Sequence, residues 1–217
     1  MTARGFWEVG STAVVVIAAV SMLGIYLNDR SRSRVLSTTQ LVPIEGWEDW
    51  QRTGIRMGAV EPRVVVSTFT YFTCRFCRDL VPVLDSLVAA FPGVVAIEHH
   101  HFPLISREFS VQSAIASECA HEEGSFSAMY HTLYEQMDSL GLKPWEAMGE
   151  EAGIQELSGF LKCIQRPEGN FPRISAGRAL GERIGVRGTP SVWVNGESFL
   201  GRTFGEFRQK VREVGIE

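Results

Sequence analysis

Apolar positions along the chain fall into three regimes. From Val9 to Leu27 they dominate a stretch that carries no charge, long enough to cross hydrocarbon as a helix. From Asn28 to about Pro43 the chain is polar, rich in Ser, Arg and Thr and aperiodic, and reads as a linker. Beyond it, short β-branched runs alternate with segments of helical spacing. Val64-Val65-Val66-Ser67-Thr68-Phe69 predicts a buried strand, and Asp79 to Ala90 places its apolar residues on one helical face. Val94 to Phe102 predicts a second strand, parallel to the first because a helix joins them. Ahead of these, Glu45 to Arg52 predicts a short helix with Trp47 and Trp50 packing from one face.

Between about residues 106 and 165 the pattern is wholly helical. Ser106 is the predicted cap of a helix carrying Ala114, Ile115 and Cys119. Ser125 is the predicted cap of another, with Phe126, Met129, Tyr130, Leu133, Tyr134 and Met137 at three- to four-residue spacing. Shorter helices are predicted from Pro144 to Gly149 and from Gln155 to Gln165. The aromatic and methionine stripe reads as the core of this block rather than a cofactor box. His99, His100 and His101 are expected at a partly exposed sheet end, and His121 and His131 as surface or packing residues.

The candidate chemistry sits between the first strand and its helix, in Tyr71-Phe72-Thr73-Cys74-Arg75-Phe76-Cys77. A Cys-x-x-Cys opening a helix after a strand is the sequence form of a dithiol redox centre. Free N–H groups and the positive helix end favour a thiolate at Cys74, and Arg75 adds a cationic charge as a thiolate-tuning residue. Cys74 is therefore the expected exposed nucleophile, and Cys77, one turn deeper, the resolving thiol. Half a zinc site and a purely structural disulfide are the alternatives. Zinc lacks a second close Cys/His pair, since Cys119 and Cys163 stand alone and neighbouring strand histidines point to opposite faces.

A later stretch, Gly185-Val186-Arg187-Gly188-Thr189-Pro190-Ser191-Val192-Trp193-Val194-Asn195-Gly196, combines a turn, a proline, a short strand and an Asn-Gly hairpin signal. Together with the strand, the dithiol helix and Pro82 within it, this resembles the thioredoxin fold. The helical block, with Glu118-Cys119-Ala120-His121-Glu122-Glu123-Gly124-Ser125-Phe126, resembles the DsbA-like thiol:disulfide oxidoreductases over roughly Arg63 to Arg212. The resemblance implies an α/β thioredoxin-like fold with an inserted helical subdomain. It also implies a catalytic pair at Cys74 and Cys77, a cis Pro190 beside them, and substrate backbone pairing at Thr189. Two features depart from the family. Arg75-Phe76 stands where the best-known oxidase has Pro-His, and Thr68 stands where a buried carboxylate often shuttles protons.

A net charge of −4 and the lack of a phosphate-cradling glycine loop leave no nucleic-acid partner and no nucleotide. No metal and no cofactor beyond the redox-active disulfide is expected. Four cysteines fit an oxidising compartment with two pairs. On that ground Cys119 and Cys163 are expected to form a structural disulfide, two buried free thiols being the alternative.

The expected organisation is a tail at 1–8, an anchor at 9–27, a linker at 28–43 and one domain at 44–217. Trp7 and Tyr26 flank the anchor as interfacial aromatics do. A cleaved signal peptide is the rival, disfavoured by the length of the run and the want of an Ala-x-Ala. Arg30, Arg32 and Arg34 would place the domain in the cytoplasm by the positive-inside rule. The paired cysteines and the resemblance place it outside, which is the expectation adopted. The functional expectation is a membrane-anchored disulfide oxidase acting on thiol-containing protein substrates and reoxidised by a quinone-linked membrane partner. A tethered reductase or isomerase and a non-catalytic peptide-binding adaptor are the alternatives.

Overall fold

The computed structural model describes residues 44–215. The proposed anchor and linker lie outside them, and among the described residues no helix is long and apolar enough to cross a membrane. A 3-10 turn, Trp47–Arg52, leads into β1 (Ile55–Gly58) and β2 (Val64–Thr70). Helix α1 (Arg75–Ala90) then returns the chain to β3 (Val95–His101). The inserted block comprises α2 (Ser110–Glu122), α3 (Phe126–Glu135), α4 (Trp145–Glu151) and α5 (Leu157–Ile164). Helix α6 (Pro172–Arg183), β4 (Ser191–Val194), β5 (Glu197–Phe199) and α7 (Phe204–Gly215) complete the domain.

The five strands form one sheet in the order β1-β3-β2-β4-β5. β2 and β3 are parallel, as their helical connection requires, and the other neighbours are antiparallel. β2 is buried along its whole length, which is why its β-branched run lacks the alternation of a half-exposed strand. Val64 and Val66 face α1 and α7, meeting Leu80, Leu84, Leu87, Phe207 and Val211. On the other face Phe69 packs with Trp50, Phe102, Leu180 and Trp193. Each such fully buried side chain contributes roughly 1.5–3 kcal/mol. The β4–β5 turn places Asn195 and Gly196 at φ 46° and 77°, the conformation an Asn-Gly hairpin needs. Asn195 also accepts from the Val65 amide at 2.8 Å, tying the hairpin to β2.

Helix α6 lies unusually close to β3. A Cβ at Gly177 would stand 2.6 Å from the His101 carbonyl oxygen, so only glycine permits this seat. The inserted helices build their own core from Ala116, Met129, Leu133, Met148 and Phe160, and this core continues into Phe72 and the two dithiol cysteines. His131 and Asp85, 3.1 Å apart, join α3 to α1 at the surface.

Two expectations need correction, and one element went unpredicted. The histidines of β3 are not at a partly exposed sheet end: His99, His100 and His101 are all buried. The inserted helices cover one face of the strand and α6 with the Trp50 cluster covers the other. Helix α2 begins at Ser110 rather than after Ser106, because Phe109 turns the chain at φ 56°. A side chain at Gly141 would overlap the Phe109 ring. Strand β1, only four residues long, was hidden by its lack of an apolar run.

Candidate active site

Cys74 is the N-cap of α1, with extended backbone angles, and its sulfur accepts a hydrogen bond from the Cys77 amide at 3.3 Å. The Thr189–Pro190 peptide bond is cis. The Thr189 hydroxyl donates to the Cys74 sulfur at 3.4 Å, and the Thr189 carbonyl oxygen lies 3.7 Å from it. Residues 115 positions apart therefore meet at one sulfur atom. Both cysteines are free thiols. Cys74 is 5% exposed and Cys77 1%. The nucleophile expected to be exposed is thus mostly covered, since the Thr189 loop lies against its sulfur.

The two thiols are opposite in character. A hydrogen bond from the Cys77 thiol leads the causes that bring Cys74 down to about 6, outweighing burial, with the Thr189 hydroxyl and the Cys77 and Phe76 amides adding to it. Burial, then donation to Cys74, pushes Cys77 strongly upward. Arg75 sits on the exposed outer side of the first turn, and hydrogen bonds lead the Cys74 shift. Tyr71 is raised by burial and by the neighbouring Cys74 charge.

Beside the dithiol, Phe76, Asp79, Leu80, Thr189, Pro190 and Arg202 line a groove of about 420 Å³. Phe76 is 71% exposed, an apolar side chain left open next to the reactive sulfur. Arg202 reaches the Pro190 carbonyl oxygen at 3.4 Å. Sequence reasoning missed Arg202, Tyr71 and Asp79 as site residues. Asp79 carried a signal, standing two residues after Cys77, whereas nothing local ties Arg202 to the dithiol.

Cys119 and Cys163 lie apart from this site. They form a disulfide between α2 and α5, with the Arg166 guanidinium against the Cys163 sulfur and paired to Glu122 at 2.7 Å. Among the described residues no cluster of three His, Cys, Asp or Glu is placed to hold a metal.

A strand, a Cys-x-x-Cys helix cap and a facing cis-proline loop on one sheet define a thioredoxin-fold dithiol protein. Residues 51–212 match the family model described as thioredoxin, and the chain belongs to that family. Among solved structures it is similar to a thioredoxin-like oxidoreductase from Silicibacter pomeroyi, with 23% identity, 74% of this chain and 91% of that one covered, and a TM-score of 0.64. It is also similar to the thiol-disulfide exchange protein alpha-DsbA2 from Wolbachia pipientis, with 18% identity, 76% and 92% covered, and a TM-score of 0.63. A curated relative, Na(+)/H(+) antiporter NhaA 1 of Mycolicibacterium vanbaalenii, is 23% identical over 211 residues. That match takes in 87% of this chain, which spans about a third of the length of the curated relatives it matches.

Proposed function

We propose that the chain is a thiol:disulfide oxidoreductase that oxidises thiol-containing protein substrates through Cys74 and Cys77. The observation that carries this reading is the asymmetry of the pair, one thiol near 6 at a helix cap and its partner buried and pushed upward. In the oxidised form a substrate thiolate attacks the Cys74 sulfur, the Cys74–Cys77 bond breaks, and Cys77 leaves and takes up a proton. A second substrate thiolate attacks its own partner in the mixed disulfide and expels Cys74 as a stabilised thiolate. The helix amides and the Thr189 hydroxyl hold that leaving group. Whatever stabilises the Cys74 thiolate stabilises the reduced protein and makes the disulfide a stronger oxidant.

The groove supports a substrate role for Thr189 and Pro190, since an extended peptide laid along it would pass the reactive sulfur with an apolar residue against Phe76. Arg75 adds a weak, solvent-screened contribution to the thiolate. The buried Cys119–Cys163 disulfide favours an oxidising compartment, and the uncharged Val9–Leu27 run favours a membrane tether with the domain on the extracytoplasmic side. A quinone-linked membrane protein is the proposed reoxidant.

Equilibration with glutathione tests the reading. We expect a reduction potential nearer the roughly −120 mV of strong disulfide oxidants than the roughly −270 mV of cytosolic reductants. A value at the low end would make the protein a reductase. Full function in a Cys74→Ser variant would make it a non-catalytic adaptor.

A further inference from the structure

A file of buried polar groups runs through the apolar core beside the dithiol, and the exchange chemistry above does not use it. The Tyr134 hydroxyl of α3 donates to the Thr70 hydroxyl at 3.0 Å. Thr70, the last residue of β2, lies 3.1 Å from His99 Nδ1. His99 Nε2 is 3.2 Å from His101 Nδ1, and His101 Nε2 is 2.9 Å from Glu118 Oε1 on α2. Arg173 of α6 closes the file on Glu118 with contacts of 2.8–3.1 Å. From Tyr134 to Glu118 every member is buried, and only the guanidinium reaches solvent. Residues from two strands and three helices are thus strung on one line of hydrogen bonds.

The carboxylate fixes the direction of every bond in that line. Burial works to raise Glu118, but the His101 hydrogen bond and Arg173 outweigh it and hold the group at about 2. An ionised carboxylate only accepts, so a neutral His101 carries its proton on Nε2 and offers a lone pair on Nδ1. His99 must then donate from Nε2, which leaves its Nδ1 to accept from Thr70. The Thr70 oxygen in turn accepts from Tyr134. All donors point toward Glu118. One proton added at the Tyr134 oxygen reverses each bond in succession and leaves the extra charge on His101, against the Glu118 carboxylate. Burial, followed by the neighbouring His101 and His100, disfavours a charge on His99, so the proton has no reason to stop there.

Tyr134 ties this file to the surroundings of the dithiol. It shares one apolar cluster with Cys74 and Cys77 and packs on Phe72 of the active-site loop at 5.0 Å between ring centres. Its hydroxyl is pushed up by burial first, then by Tyr130 and by charge on the two sulfurs. Cys77 meanwhile has a difficulty that the fold itself creates. It is buried and pushed upward, first by burial and then by donation to Cys74, yet it must lose a proton to resolve a mixed disulfide.

We propose, on the basis of the exchange function above, that the file Tyr134–Thr70–His99–His101 is the proton path of Cys77, with Glu118 and Arg173 as its fixed anchor. When Cys74 carries a mixed disulfide, the Cys77 thiol gives its proton to the Tyr134 oxygen and the file relays one proton to His101. The Cys77 thiolate then attacks the Cys74 sulfur, the bond from Cys74 to the outer sulfur breaks, and the departing thiolate takes that electron pair. The protein dithiol is oxidised and the outside disulfide is reduced. In the opposite half-reaction Cys77 leaves as a thiolate and recovers its proton from His101 by the same route. The transfer between Cys77 and Tyr134 is the one step added to the hydrogen bonds described. The other titratable groups facing the path are Cys74 and Tyr71 at the dithiol, Tyr130 on α3, His100 on β3, and His121 and Glu122 on α2.

The test uses the whole chain, with Cys119–Cys163 closed and the dithiol reduced, mixed rapidly with an aromatic disulfide that releases a coloured thiol. A first phase reports attack by Cys74 and a second reports closure by Cys77. Tyr134→Phe cuts the path at the dithiol end, and Thr70→Val cuts it in the middle with nearly the same shape. In both variants the second phase should slow at least about tenfold near pH 6, a floor below the roughly 10²–10⁴-fold that positioned proton transfer typically contributes. The deficit should shrink toward pH 9, where hydroxide removes the proton directly, while the first phase keeps its wild-type pH profile. A second phase of wild-type rate and profile in both variants would overturn the path. So would slowing by one constant factor at every pH, the mark of a merely structural role. A wild-type first phase that shows no reactive Cys74 would instead strike the exchange reading itself.

Discussion

The two cysteine pairs of this domain are made of the same atoms and do opposite things. Cys119 and Cys163 are 44 positions apart and join two inserted helices. Closing that loop removes chain entropy from the unfolded state, about 4 kcal/mol in the entropic account. Cys74 and Cys77 are three positions apart, so a bond between them removes only about half as much chain entropy. Their energetics come from the helix cap, where the Cys77 thiol, the Thr189 hydroxyl and two amides hold one sulfur as a thiolate. A long loop makes a disulfide a fastener. A short loop at a helix start makes it a reagent.

The contrast is broken most sharply by removing sulfur from each pair in turn. Cys74→Ser should abolish disulfide exchange with a thiol peptide, lowering the rate by several orders of magnitude while the melting temperature stays within about 2 °C. Retained exchange would move the nucleophile elsewhere. The Cys119→Ser/Cys163→Ser variant should do the reverse, melting about 8–15 °C earlier with exchange kinetics unchanged at temperatures where it is folded. Loss of exchange in that folded variant would make the second pair part of the electron route.

pH sharpens the comparison. Cys74 is depressed in the folded reduced protein, so its contribution is fully present above the ordinary thiol value of about 8.5 and is lost as pH falls through about 6. Cys77 is raised, so above about 8.5 the unfolded chain releases a proton that the folded one keeps, and stability falls. The melting temperature of the reduced form relative to the oxidised form should therefore climb from pH 6 to about 8.5 and decline beyond. The Cys119–Cys163 pair has no proton to lose and adds no such dependence. A difference that is flat with pH would dismiss the asymmetry.

Smaller effects separate the groups around Cys74. Thr189→Val deletes a hydrogen bond to a charged atom and should raise the Cys74 pKa, read from the pH profile of alkylation, by about one unit. Arg75→Gln should raise it by about 0.5 unit or less, because an exposed charge is screened by water. The reverse ranking would restore Arg75 as the main tuning residue.

The sequence displayed those parts of the site whose signals are local. A β-branched run, Cys-x-x-Cys and a helical stripe are contiguous, and Gly188-Thr189-Pro190 with Asn195-Gly196 announces its own turn and hairpin. What it hid depends on distant partners. Alternation along β3 puts His99 and His101 on one face but cannot say whether that face is wet. The answer lies in Tyr134 and Glu118, on helices folded over the strand from later in the chain. Glu118 itself looked like an acidic helix residue beside a cysteine. Arg202 was hidden for the same reason, since only the β5–α7 connection brings it to Pro190.

At Gly177 the decisive feature is a side chain that is missing. The contact between α6 and the His101 backbone sets how far the helix stands from the sheet, and Arg173 lies one turn earlier on that helix. The gap therefore fixes the reach of the guanidinium to Glu118. Adding a single methyl group would lift the helix and draw that cation back, loosening the anchor that orients two histidines. What Gly177 supplies is clearance rather than chemistry. A survey of substitutions that looked only for reactive groups would pass over a position whose emptiness holds the buried polarity of the domain in place.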